Sequence, residues 1–141
     1  MKRRHLLAAI GAAQLAAGVA GQALALRDGR AFDIAVLGWR GRPERMTRDT
    51  WLLGTGVSAP VVMLATQAAA IGRLAAGPSR RASQVLATLG ALMTTGYLVE
   101  REFRDAFRPG GRDAELTPTV AVGFCLAVAM AALGGRGTTS D

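Results

Sequence analysis

Tyr97, Glu100 and Arg101 stand together at the end of a long apolar run, with the phenol about one turn before the carboxylate and the guanidinium beside it. A carboxylate held in a membrane span is what a small proton-coupled exporter needs to carry its proton. The same residues have a plainer use. Glu100 and Arg104 are four apart, as are Arg101 and Asp105, so both pairs can form along a helix surface. Pro60 also invites a functional reading, because it falls inside an apolar segment, lacks a backbone N–H and crowds the carbonyl of Gly56, which predicts a kink. Gly54, Thr55, Gly56 and Ser58 precede it, and their hydroxyls could satisfy freed backbone groups. Gln14, an amide deep in the first apolar run, completes the set of candidates: Gln14, Pro60, Tyr97, Glu100 and Arg101.

Other chemistry is harder to build from this chain. His5 is the only histidine and Cys125 the only cysteine, which excludes a paired-thiol redox centre, bis-histidine haem ligation and most zinc sites. The side chains that combine polarity with bilayer depth are Gln14, Gln22, Thr55, Ser58, Thr66, Gln67, Thr88, Thr94 and Thr95, none of them ionisable. Amides and hydroxyls in such places usually join helices to one another. No Ser/His or Asp/Asp pair suited to hydrolysis lies at that depth. The sequence therefore predicts no catalytic residue, no metal and no cofactor, and points away from an enzyme.

The elements that carry these residues are four apolar stretches cut apart by arginine-rich segments. They predict an all-α, integral membrane protein built as an up-down bundle of four transmembrane helices, in one domain covering residues 1–141. The spans are expected at about 6–26, 51–76, 82–107 and 118–134. Small residues dominate the apolar half of the composition, as suits helices that pack backbone to backbone in lipid. In the first span Gly11, Gln14, Gly18, Gly21 and Ala25 recur three or four apart and form one seam. A second seam runs through Ser83, Ala87, Gly90, Thr94, Tyr97 and Arg101. The fourth span carries a row of Gly123, Ala127 and Ala131. Trp51 suits the bilayer interface, Gly77-Pro78 ends the second helix, and Thr117-Pro118 reads as an N-cap followed by the first helical position. The third helix is expected to continue past Val99 to Phe107, with Phe103 and Phe107 resting on the headgroups.

Loop 27–50 is the longest polar connection and is expected on the extracytoplasmic side. Phe32, Ile34 and Val36 alternate there and Gly38 and Gly41 flank Trp39, a pattern for an interfacial strand or a turn-rich cap on the bundle. The net charge of +7 is spread over connections rather than gathered in a stripe, so anionic headgroups, not nucleic acid, are the expected partner. Lys2-Arg3-Arg4 ahead of the first span, with Arg73, Arg80 and Arg81 far from any acid, places both termini on the cytoplasmic side of a multi-pass protein in the cell membrane. Ala23-Leu24-Ala25 also matches a signal-peptidase site, but the apolar run of residues 6–26 exceeds the usual h-region of about 7–15 residues. A retained first helix is the preferred reading. The functional expectation is an accessory, scaffold or oligomer-forming subunit that meets a second copy or a membrane-protein partner through small-residue helix faces. A small transporter or channel-like protein for an apolar or weakly polar solute is the alternative.

Overall fold

In a computed structural model, the described residues are 2–28, 33–34, 39–40, 59–108, 110 and 116–135. They form an all-α bundle. Helix α1 spans Lys2–Asp28, α2 Val61–Ala76, α3 Arg80–Val99, α4 Arg101–Ala106 and α5 Leu116–Gly135. The remaining regular structure among them is a minimal antiparallel ladder of β1 (Asp33–Ile34) and β2 (Trp39–Arg40), with Ile34 opposite Trp39. An extended pair therefore lies inside the loop whose alternating hydrophobics predict one; Phe32 and Val36 lie outside the described residues.

Among the described residues three helices, α1, α3 and α5, are long and apolar enough to cross a membrane. The 16-residue α2 is shorter, ~24 Å at 1.5 Å per residue against a bilayer core of ~30 Å. Expectations about Trp51, Gly54, Thr55, Gly56 and Ser58 fall outside the described residues. Pro60 does not lie within α2. It is the N-cap of α2, with φ −53° and ψ 145°, and its carbonyl accepts from the amides of Met63 and Leu64. A proline at a helix start loses nothing, because the first amides of a helix have no intrahelical acceptor in any case.

The four long helices close a ring in which α1 touches α2 and α5, and α3 touches α2 and α5. Each neighbour runs antiparallel. The Arg3 guanidinium donates to the Leu133 carbonyl at 3.0 Å, which sets the start of α1 beside the end of α5. All five members of the first seam (Gly11, Gln14, Gly18, Gly21, Ala25) are buried. The second seam faces α5 in register. A Cβ built on Gly90 would sit 2.6 Å from the Ala131 nitrogen and 2.7 Å from the Ala127 carbonyl oxygen. At Gly134 it would sit 2.7 Å from the Ser83 carbonyl oxygen, and at Gly123 2.5 Å from the Tyr97 hydroxyl. Backbones approach this closely only where a side chain is missing. Leu7, Leu64, Leu74, Leu86, Leu89 and Met130 are among the side chains that fill the space between the seams.

The third helix does not run straight to Phe107. It ends at Val99, Glu100 adopts an extended conformation (φ −74°, ψ 132°), and α4 restarts at Arg101. The cause is the placement of Phe103. On an unbroken helix Phe103 would point ~120° away from Tyr97, at about 100° per residue. The break turns it inward, so that Phe103 and Ala106 join Ala25 and Val120 in a second small core. Phe107 alone of the two phenylalanines stays exposed. The connection after α2 is tight: α3 starts from Ser79, whose hydroxyl accepts from the Ala82 amide at 3.3 Å. Thr117 is no N-cap; α5 already includes Leu116, and the Thr117 hydroxyl reaches the Ala106 carbonyl at 3.5 Å, joining α5 to α4.

Candidate functional site

Two polar places stand out in an otherwise apolar interior: an amide pair between α1 and α2, and the bend around Glu100. The buried polar or charged residues among those described are Gln14, Gln67 and Glu100.

At the first, Gln67 Nε2 donates to the Gly11 carbonyl at 2.8 Å and to Gln14 Oε1 at 2.7 Å. Both side chains are excluded from solvent, Gln14 at 1% exposure and Gln67 at 0%. The missing side chain at Gly11 lets the amide reach the backbone, where a Cβ would already press on Ile71 at 3.2 Å. The Gly11 carbonyl determines the orientation of Gln67: turning the amide over would set its oxygen against that acceptor. In that orientation Gln67 Oε1 is buried with no hydrogen-bond partner. An unmet acceptor in such a place costs about 1–3 kcal/mol. Sequence reasoning singles out Gln14 but not Gln67 as a candidate, although both stand among the deep polar residues. The available signal is the shared depth of the two amides on neighbouring helices.

The hydroxyls behave differently from what their depth suggests. Thr66, Thr94 and Thr95 donate to the carbonyls of Val62, Gly90 and Ala91, each four residues back on its own helix. They are satisfied locally and do not join one helix to another.

At the bend, the candidates separate. Arg101 is exposed and pairs with Asp105 at 3.4 Å, as the four-residue spacing predicts, and Arg108 reaches the same carboxylate at 2.8 Å. Glu100 is 9% exposed at the helix break, so it is not the solvated edge residue that its sequence position suggests. Its backbone amide completes the last turn of α3 on the Gly96 carbonyl at 3.0 Å. Tyr97 turns into the aromatic group beneath it. Its ring lies 5.5 Å from Phe103 and 6.1 Å, edge-on, from Phe124, and Phe103 in turn packs on Phe107 at 5.0 Å. Pro60 and Gln14 belong to other parts of the bundle: the first opens α2 and the second lies in the amide pair. The five candidates therefore do not converge on one site.

Among the described residues, two open clefts mark the outer surface. One lies between α1 and α2 and is lined by Ala12, Leu15, Ala16, Ala20, Ala68 and Gly72 among others. The other lies between the bend and α5, where Leu98, Arg104, Phe107, Phe124 and Cys125 are among its walls. Among the described residues no group of three His, Cys, Asp or Glu side chains comes together in a form able to hold a metal ion. What the interior can do is hydrogen-bond, pack and hold a carboxyl group at the bend. No family model, no curated protein and no solved structure matches the chain.

Proposed function

We propose that this is a multi-pass protein of the cell membrane, with both termini on the cytoplasmic side. In this reading it is a non-enzymatic accessory, scaffold or oligomer-forming subunit that works through helix packing. The observation that carries the reading is the α1–α2 cleft. The glycine seams are used up inside the bundle, yet a further small-residue surface of Ala12, Ala16, Ala20, Ala68 and Gly72 remains open to the outside. A surface of small residues is where a helix from another chain can come close enough to gain packing energy in lipid. Leu6, Val19, Val62, Leu92, Val122 and Val128 are exposed on the surrounding faces, as contact with acyl chains requires. Charge supports the orientation. Arg3, Arg4, Arg73, Arg80 and Arg81 share one end of the bundle, where no acidic residue is found among the described residues.

Purification in a mild detergent, with Ala16→Cys in a Cys125→Ser background, tests the idea. The expected result is a defined oligomer or a co-purifying membrane protein, cross-linked through position 16. A strictly monomeric chain with no companion would remove the support.

The burial of Glu100 favours a second reading, a small transporter for an apolar or weakly polar solute. It needs Glu100 to take and release a proton during transport. Glu100→Gln in reconstituted vesicles should then abolish flux of any solute the wild type moves. Unchanged flux, or none from the wild type, leaves the packing role alone.

A further inference from the structure

We propose that the cleft between the α3–α4 bend and α5 is a binding site for one anionic phospholipid, a reading that rests on the chain being a membrane protein. The cleft has two chemically distinct parts. Leu98, Phe107, Phe124 and Cys125 give it an apolar wall, and Arg104 stands at its edge. Of the arginines on and just after α4, Arg101 and Arg108 both engage the Asp105 carboxylate. Arg104 is exposed, and its side chain has no ion pair or hydrogen bond among the described residues. A guanidinium with no partner among the described residues, beside an apolar trough at the end of membrane-length helices, matches a molecule with a phosphate at one end and a hydrocarbon chain at the other. Guanidinium binds phosphate oxygens in pairs, and the preference for an anionic lipid comes from net charge, since the ammonium of a choline headgroup offsets the attraction to the cation. The break at Glu100 shapes the trough, because it turns Phe103, which also lines the cleft, toward Phe124.

Cys125 lies in the same cleft, is exposed and is the only cysteine of the chain, so its alkylation reports occupancy. The full chain in mild detergent is treated with N-ethylmaleimide in the presence of phosphatidylglycerol or of phosphatidylcholine at equal mole fraction. Phosphatidylglycerol should slow modification about five-fold more than phosphatidylcholine, the effect of one favourable cation–anion contact near a lipid surface. Arg104→Gln should erase that difference, and Arg73→Gln, at the opposite end of the bundle, should keep it. Equal protection by the two lipids, or a difference that survives Arg104→Gln, overturns the site. Flotation of the carbonate-washed chain with phosphatidylcholine vesicles separates the two claims. A chain that fails to float refutes the membrane reading, whereas one that floats without headgroup preference refutes only the lipid site.

Discussion

Gln67 reaches across from α2 to Gln14 on α1 with a 2.7 Å hydrogen bond, and neither side chain meets solvent. Two fully buried amides thus face each other across the α1–α2 contact and set the register of the first two long helices. Interhelical hydrogen bonds in lipid average ~0.6 kcal/mol and reach ~1.7. Gln14→Leu should therefore destabilise the bundle by about 0.6–1.7 kcal/mol in reversible detergent denaturation. Gln67→Leu also removes the contact to Gly11, but it removes the unmet Oε1 as well. The double variant should cost less than the sum of the two single ones, and strict additivity would show that the pair is not coupled.

The α3–α5 crossing makes a sharper prediction. Gly90→Ala and Gly134→Ala drive a methyl group into backbone atoms under 3.0 Å away and should each cost about 1–3 kcal/mol, read as a lowered unfolding midpoint. Gly72 and Gly96 have nothing within 4 Å of where a Cβ would lie, so alanine there should be neutral or stabilising by up to about 1 kcal/mol. Equal effects at all four positions would mean that α3 and α5 do not approach as described.

Retention of the first helix is the outcome expected from what it supplies. Leu7 belongs to the main core and Ala25 to the second one, and α1 provides both acceptors for the Gln67 amide. Cleavage after Ala25 would leave that donor stranded among apolar side chains. Intact mass of the purified protein should include residues 1–25, and a chain beginning at Leu26 would contradict this.

Orientation can be tested at the basic end. Reporter fusions at either terminus should both give the cytoplasmic signal. Changing Arg73, Arg80 and Arg81 together to Gln should weaken that preference, because the rule counts Lys and Arg beside the spans. A periplasmic-type signal from both fusions in the unaltered chain would invert the assignment.

Much of the bundle is legible in the sequence because small residues at spacings of three and four leave a mark that survives without knowledge of partners. The seam Ser83, Ala87, Gly90, Thr94, Tyr97 meets the row Gly123, Ala127, Ala131, and each is identifiable on its own helix. The break at Glu100 is not legible. Residues 100–107 have good helical pairing, Arg101 with Asp105 included, and only the pull of Phe103 toward Tyr97 and Phe124 favours bending. Tertiary packing overrides local preference at such points, and nothing in the local sequence records it. Pro60 marks a helix boundary, the start of α2, which its apolar neighbourhood does not reveal. Gln67 stands among the deep polar residues but not among the candidates, because a lone amide on one helix becomes a candidate only when its counterpart on another is known.

The contact between Arg3 and Leu133 carries a consequence for how the molecule is made. Helix α5 is a lateral neighbour of α1, which is made well before it, so the ring cannot close until α5 has left the ribosome. With about 5–20 residues added per second, α1 waits several seconds or more between its own emergence and that of α5. During that interval the side of α1 around Ala17, which later lies near Gly123, has no partner from its own chain. The insertion machinery or surrounding lipid must shelter it. The bundle is therefore vulnerable until α5 emerges, and a premature stop before residue 116 would leave an open arc of helices rather than a smaller closed bundle.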